Sequence, residues 1–233
     1  MKEIYYECIG EGFPIILLHG NGENHHIFDD TVQVLSKKYK CILIDSRYHG
    51  QSIHQGELSY QQMCKDVINV IDELNLQEYD LLGFSDGAII GLLLAMEDQR
   101  LKHLISIGAN TKPKYMKLFF RIFTYIQTFC LLPFCIYQKK ARQSFRLNRL
   151  MLKEPHIEYD DLKNIHSCVL VMAGQYDMIQ EKDTKAIAKA LPYSVLKIIK
   201  QGNHFLLRDN FLETILQIEL FLEVCHKEEK YEA

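Results

Sequence analysis

The sequence predicts an α/β fold, with a mostly parallel central sheet, helices on both of its faces and a helical insertion. Three observations carry that prediction. Short continuous apolar runs, of the kind a strand buried on both faces requires, alternate with longer segments of helical spacing. One run, Leu81-Leu82, leads into Gly83-Phe84-Ser85-Asp86-Gly87 and then into the apolar segment from Ala88 to Ala95. Residues 111–153 break the alternation, holding ten Lys or Arg and no Asp or Glu.

The chain of 233 residues fits one domain carrying an insertion, and 48% apolar content is enough for a substantial core. A formal net charge of −3 gives no global argument for nucleic acid as a partner. The seven cysteines are odd in number and scattered without a C-x-x-C pair. Most lie in apolar runs, so buried reduced thiols are expected rather than a disulfide framework. No zinc-ligand spacing or internal repeat is present, and no metal site is expected. Lys2 and Glu3 are charged and Glu7 interrupts Ile4 to Ile9, so this segment does not read as a secretory leader. A cytoplasmic location is the expectation.

Taken in order, residues 2–9 read as a strand, Gly10 to Pro14 as a turn and Ile15 to Leu18 as a short buried strand. That strand runs into His19-Gly20-Asn21-Gly22, a glycine-rich loop able to expose backbone N–H groups or simply to end the strand. Ile27 to Lys38 has helical spacing, and Cys41 to Ile44 is the next buried strand, ending in Asp45-Ser46-Arg47-Tyr48-His49-Gly50-Gln51-Ser52. Tyr60 to Leu74 is amphipathic, with Met63, Val67, Val70, Ile71 and Leu74 on one face. His103 to Ile107 and Cys168 to Ala173 read as strands, the latter ending in Gly174-Gln175-Tyr176-Asp177. Lys182 to Leu191 is a helix stopped by Pro192, and Val195 to Ile199 is the last strand, followed by Gln201-Gly202-Asn203-His204. Phe211 to Val224 closes the chain as a helix, with fraying expected over residues 227–233.

The insertion has its own character. Outside it, 17 basic residues face 30 acidic ones, whereas inside it nine aromatics are interleaved with the cations. Leu118 to Tyr137 is long enough to consider as a membrane span. Arg121, Gln127 and Pro133 argue against one, and a single span here would cut the sheet in two. Helices of a lid are the expectation.

In the G-x-S-x-G stretch, Gly83 and Gly87 remove side chains where strand and helix press together, so a strained corner can push the Ser85 hydroxyl outward. Two glycines around a serine also make an ordinary turn, and a free hydroxyl needs a neighbouring base to become a nucleophile. Ser85, Asp177 and His204 each follow the carboxyl end of an expected parallel strand, the edge where open α/β sheets place ligands. Singly, Asp177 can be a turn residue and His204 a helix cap. Their joint placement, in the order Ser, Asp, His, points to a catalytic triad.

On these motifs the chain resembles the α/β-hydrolase superfamily over nearly its full length. The resemblance implies a core of residues 1–110 and 161–233, with residues 111–160 as a cap over the acyl site. It implies Ser85 as nucleophile, His204 as base and Asp177 as its partner, with the N–H groups of Asn21 and Asp86 receiving the oxyanion. No metal or organic cofactor is needed. A serine at this position is unlike the aspartate of dehalogenase and epoxide-hydrolase relatives. Family members usually have glycine where this chain has Tyr48, so a different backbone is expected there; Asp45, Arg47 and His49 are assigned structural roles.

The implied function is hydrolysis of a small acyl or aryl ester or thioester, in the manner of a carboxylesterase, with lactonase and amidase chemistry left open because lid and pocket choose among them. The alternative is a receptor or regulator that keeps the fold and triad and acts by binding. Phe84, Asp86 and His25 are the candidate substrate contacts. Asp86 would disfavour anionic acyl groups if its carboxylate faces the site, or would merely suit the helix dipole. The insertion has two readings as well. Its apolar groups bury in an anionic membrane surface while its cations hold headgroups, or they roof the pocket and leave a charged outer face.

Overall fold

The computed structural model describes residues 3–53 and 55–232. Seven strands form one sheet: β1 (Tyr6–Ile9), β2 (Phe13–Leu18), β3 (Tyr39–Ile44), β4 (Tyr79–Phe84), β5 (Leu101–Ile107), β6 (Cys168–Gly174) and β7 (Ser194–Ile199). Their spatial order is β1-β3-β2-β4-β5-β6-β7. All neighbours are parallel except β1 on β3, where Tyr6 faces Ile44. The expected strand over residues 2–9 is therefore shorter, and Lys2 lies outside the described residues.

Parallel strands need crossovers, and these are supplied by α1 (Asp29–Leu35), α2 (Tyr60–Glu73), α3 (Asp86–Glu97) and α6 (Glu181–Ala190). Strand side chains alternate between two cores. Ile16, Leu18 and Leu81 join α2, α3 and α6 on one face. Ile15, Leu17 and Leu82 join α1, α7 (Leu206–Asp209) and α8 (Phe211–Glu232) on the other. The expected helix over residues 27–38 resolves into a 3-10 turn, His25–Phe28, and the short α1. The closing helix continues through Glu232 where fraying was expected, and Ala233 lies outside the described residues.

Between β5 and β6 run α4 (Leu118–Leu131), a 3-10 turn (Leu132–Ile136) and α5 (Lys139–Lys153). This segment is tied down at both ends. The Thr111 N–H and Oγ donate to Asp183 at 2.8 and 2.7 Å, and the Tyr159 hydroxyl donates to the same carboxylate at 2.6 Å. Burial pushes the Asp183 carboxyl up, and these hydrogen bonds oppose the shift. The α5 helix buries Ala141, Leu147 and Leu150 against the body, and Arg146 donates to the Tyr48 hydroxyl.

Tyr48 corrects one expectation. It adopts φ 64°, the left-handed conformation that glycine takes without penalty, so the loop backbone is kept rather than changed. Roughly 1–2 kcal/mol of strain is accepted there. In exchange, the ring is buried, its hydroxyl donates to Gly56 O at 2.8 Å and accepts from Arg146 of α5, and Gln143 of α5 donates to the Tyr48 backbone carbonyl. The cysteine expectation is corrected as well. All seven are free, but only Cys41, Cys64 and Cys225 are buried, because Cys8 sits on the edge strand and Cys130 on an uncovered helix.

Candidate active site

The strand order places a crevice where β2 and β4 lie side by side while their chains leave toward opposite edges of the sheet. Ser85 stands at the end of β4 with φ 53° and ψ −113°, a conformation an L-residue rarely adopts. The Ser85 N–H donates to Ile107 O at 2.8 Å and pins the corner. The flanking glycines are required by contact. A Cβ on Gly83 would lie 2.3 Å from Gly87 O, and one on Gly87 would lie 2.0 Å from Leu18 O.

The loops after β6 and β7 bring the other two groups to this corner. His204 Nε2 lies 3.0 Å from Ser85 Oγ, and His204 Nδ1 lies 2.7 Å from Asp177 Oδ1. With Nδ1–H donating to the carboxylate, Nε2 is left to accept the serine proton. Both Asp177 and His204 are buried. Burial alone would raise the Asp177 carboxyl, but His204 and the amides of Ile179 and Gly174 more than offset it. The carboxyl sits below its ordinary value and stays ionised.

Two backbone amides follow the strands that meet at this corner. Asp86 is the first residue of α3 and Asn21 follows β2, and neither N–H has a partner among the described residues. The Asp86 carboxylate holds the two loops together, accepting from Asn21 Nδ2 at 2.9 Å and from the Tyr60 hydroxyl at 2.8 Å. That corrects its expected role as a substrate contact. The carboxylate points into this buried network, not into the cavity, and desolvation raises its pKa.

A family model described as the alpha/beta hydrolase fold matches residues 14–123. The AB hydrolase superfamily protein YisY of Bacillus subtilis is 40% identical over 91 residues, 38% of this chain and 34% of that protein. The sn-1-specific diacylglycerol lipase ABHD11 of Xenopus laevis is 29% identical over 105 residues, 44% of this chain and 34% of that one. Such matches span about a third of those relatives' own length. Among solved structures, an esterase from Exiguobacterium antarcticum superposes with a TM-score of 0.80 at 20% identity, covering 94% of this chain and 95% of the other. The chain has the α/β-hydrolase fold.

A cavity of about 470 Å³ opens beside Ser85 and His204. Its floor includes Phe84, the one expected substrate contact that the fold delivers, and its roof comes from Phe119, Phe120, Phe123 and Thr124 of α4. A larger concavity of about 880 Å³ lies at the opposite end of the sheet, near His103 and Cys168, away from Ser85. His25 does not line the cavity at Ser85. Its N–H and Nδ1 both meet Asp45 Oδ1, at 2.9 and 2.8 Å, because the ring packs under the loop after β3. Asp45, Arg47 and His49 likewise face inward. The Gly22 N–H donates to His49 Nε2 at 3.0 Å, and Arg47 grips Asp66 through two nitrogens.

Sequence reasoning missed Glu23, Met116, Met178 and Phe205, which also line the cavity. Glu23 Oε2 accepts the Gly20 N–H at 3.0 Å, and burial raises its carboxyl above the ordinary value. Nothing local marked these residues, except that Met178 follows Asp177 and Phe205 follows His204. Gly108 was also missed. At φ +71° its α-carbon supports the imidazole, and an added Cβ would sit 2.8 Å from His204 Cε1. Gly108→Ala is therefore expected to displace the base and lower the acylation rate about 100-fold. An unchanged rate of labelling by an active-site phosphonate would contradict this.

The scaffold under the loop after β2 carries a pH dependence. His19 accepts the Ser46 N–H at Nε2 (3.0 Å) and its Nδ1 lies 2.8 Å from Gly20 O. Burial, with His49 beside it, pulls its pKa from 6.5 down to about 3. Between those values the unfolded chain binds a proton that the folded chain refuses. This contribution to stability is present in full above about 6.5 and is lost as pH falls toward 3. Urea unfolding is expected to weaken by up to about 1.4 kcal/mol per pH unit below that point, and His19→Gln to flatten the slope. Equal slopes in both proteins would rule His19 out as the source.

Proposed function

We propose that this protein cleaves a small ester or thioester through an acyl-enzyme on Ser85. The observation that carries the reading is the continuous hydrogen-bonded path from Asp177 through His204 to Ser85. His204 takes the hydroxyl proton as Ser85 Oγ attacks the carbonyl carbon, and the imidazolium is stabilised by Asp177. The oxyanion forms against the N–H groups of Asn21 and Asp86, where one such donor is worth about 3 kcal/mol of the barrier. His204 then returns the proton to the departing alcohol or thiol, and water attacks the acyl-enzyme by the same route. The aromatic and methionine lining of the cavity favours an apolar acyl or aryl group. The names of the lipase and esterase relatives point the same way.

A fluorophosphonate probe tests the assignment. Ser85 is expected to carry the label, and Ser85→Ala to abolish it while leaving the fold intact. Labelling that survives this change, or that maps to the buried Ser46 or Ser52, would sink the proposal. With Ser85 labelled, a panel of esters and thioesters of varied chain length ranks the acyl group. Stoichiometric modification without turnover on every member would instead favour the receptor reading.

A further inference from the structure

Helix α4 has two apolar faces, one lining the cavity and one turned away from it. Phe119, Phe120, Phe123, Thr124 and Gln127 line the cavity, with Phe119 and Phe123 still 75% and 50% exposed at its rim. Leu118, Ile122, Tyr125, Ile126 and Phe129 follow the i, i+4, i+7, i+8, i+11 spacing of a second stripe on the opposite side. That stripe is uncovered: Ile122 is 48% exposed, Ile126 55% and Phe129 73%. Leu132, Phe134 and Ile136 extend it past the end of the helix, at 45%, 52% and 71%. The roof reading of the insertion expected a charged outer face. The outer face of α4 is apolar instead.

We infer that this face docks on an anionic lipid bilayer. A contiguous apolar patch of this kind on a folded protein marks an interaction surface, and its surroundings choose the partner. Residues 111–153 hold ten cations and no acid. Lys117, Arg121, Lys139 and Lys140 have no carboxylate partner among the described residues. An apolar stripe flanked by unpaired cations matches acyl chains beneath anionic headgroups. The same cations oppose a second copy of this chain, since two such faces would bring like charges together.

Residues 118–136 are apolar and long enough to pass for a span by composition. The geometry selects the interfacial orientation. Both ends of the segment return to the body: the Lys117 N–H donates to Met178 O, and beyond the turn Arg146 of α5 donates to the Tyr48 hydroxyl. The helix therefore lies in the plane of the interface, with lipid on one side and the cavity on the other. This inference does not depend on the chemistry proposed for Ser85.

Co-sedimentation of the full chain with vesicles tests it. Binding is expected to vesicles of mixed phosphatidylglycerol and phosphatidylcholine, weakening as salt rises, and to be much lower on phosphatidylcholine alone. The variant Ile122→Ser/Ile126→Ser/Phe129→Ser removes outward residues only. It is expected to lose ~tenfold or more of the binding while keeping the melting temperature and aryl-ester turnover of the parent. Lys117→Gln/Lys139→Gln/Lys140→Gln is expected to lose the preference for anionic vesicles; Arg142 is spared because it holds the turn together. Absence of binding to anionic vesicles at low salt would overturn the inference, as would equal binding by the serine variant. Self-association abolished by the serine variant, without vesicle binding, would assign the face to a second copy and overturn it too.

Discussion

Asp177→Asn is expected to lower kcat by about 10⁴-fold with little change in KM. Asp177 Oδ1 holds the Nδ1–H of His204 at 2.7 Å and so leaves Nε2 unprotonated toward Ser85. An amide in its place can offer an N–H to Nδ1 and drive the proton to Nε2, the tautomer that cannot accept from serine. The substrate cavity is untouched by the change, which is why KM should hold. Two other carboxylates, Asp183 and Asp209, serve as controls. Asp183 accepts from Thr111 and Tyr159, and Asp209 accepts from Asn203 and Arg208. Asp183→Asn and Asp209→Asn should therefore act through loop and cap stability and not through a kcat loss of this size. Steady-state kinetics on an aryl ester checks all three, and an Asp177→Asn variant within tenfold of the parent would remove Asp177 from the mechanism.

Gly87→Ala is expected to be the most destabilising single methyl addition at the site. The new Cβ would meet Leu18 O at 2.0 Å, and that oxygen belongs to the central strand β2 and has no room to retreat. Overpacking against backbone costs about 3 kcal/mol or more. Gly22→Ala is the comparison. It has φ +75° but nothing within 4 Å of the added methyl, so only the backbone penalty of about 1 kcal/mol remains. Urea denaturation of the two variants separates steric approach from backbone strain. Equal losses would mean that the corner around Ser85 yields more readily than its contacts imply.

The sequence by itself determined the order of strands and helices, the strand ends that carry Ser85, Asp177 and His204, and the glycines of the turn. These are local signals. Period-2 and period-3.6 burial is written in consecutive residues, and a positive φ or a backbone contact admits few residue types. Phe84 was legible for the same reason, being attached to the nucleophile. Which way a polar side chain turns was not legible. Asp86 and His25 both lie next to the site in sequence, yet Asp86 bonds Asn21 and Tyr60 while His25 bonds Asp45. Those partners come from residues up to 65 positions away, so only the packed fold decides between cavity and interior. Glu23, Gly108 and the methionines of the cavity were invisible for the same reason. The insertion shows the division most plainly. Its composition announced aromatic and basic helices, but whether an apolar side chain meets the cavity or solvent depends on how α4 is rotated against the body. That rotation is set by Tyr48, Asp183 and Met178, residues outside the insertion's own sequence.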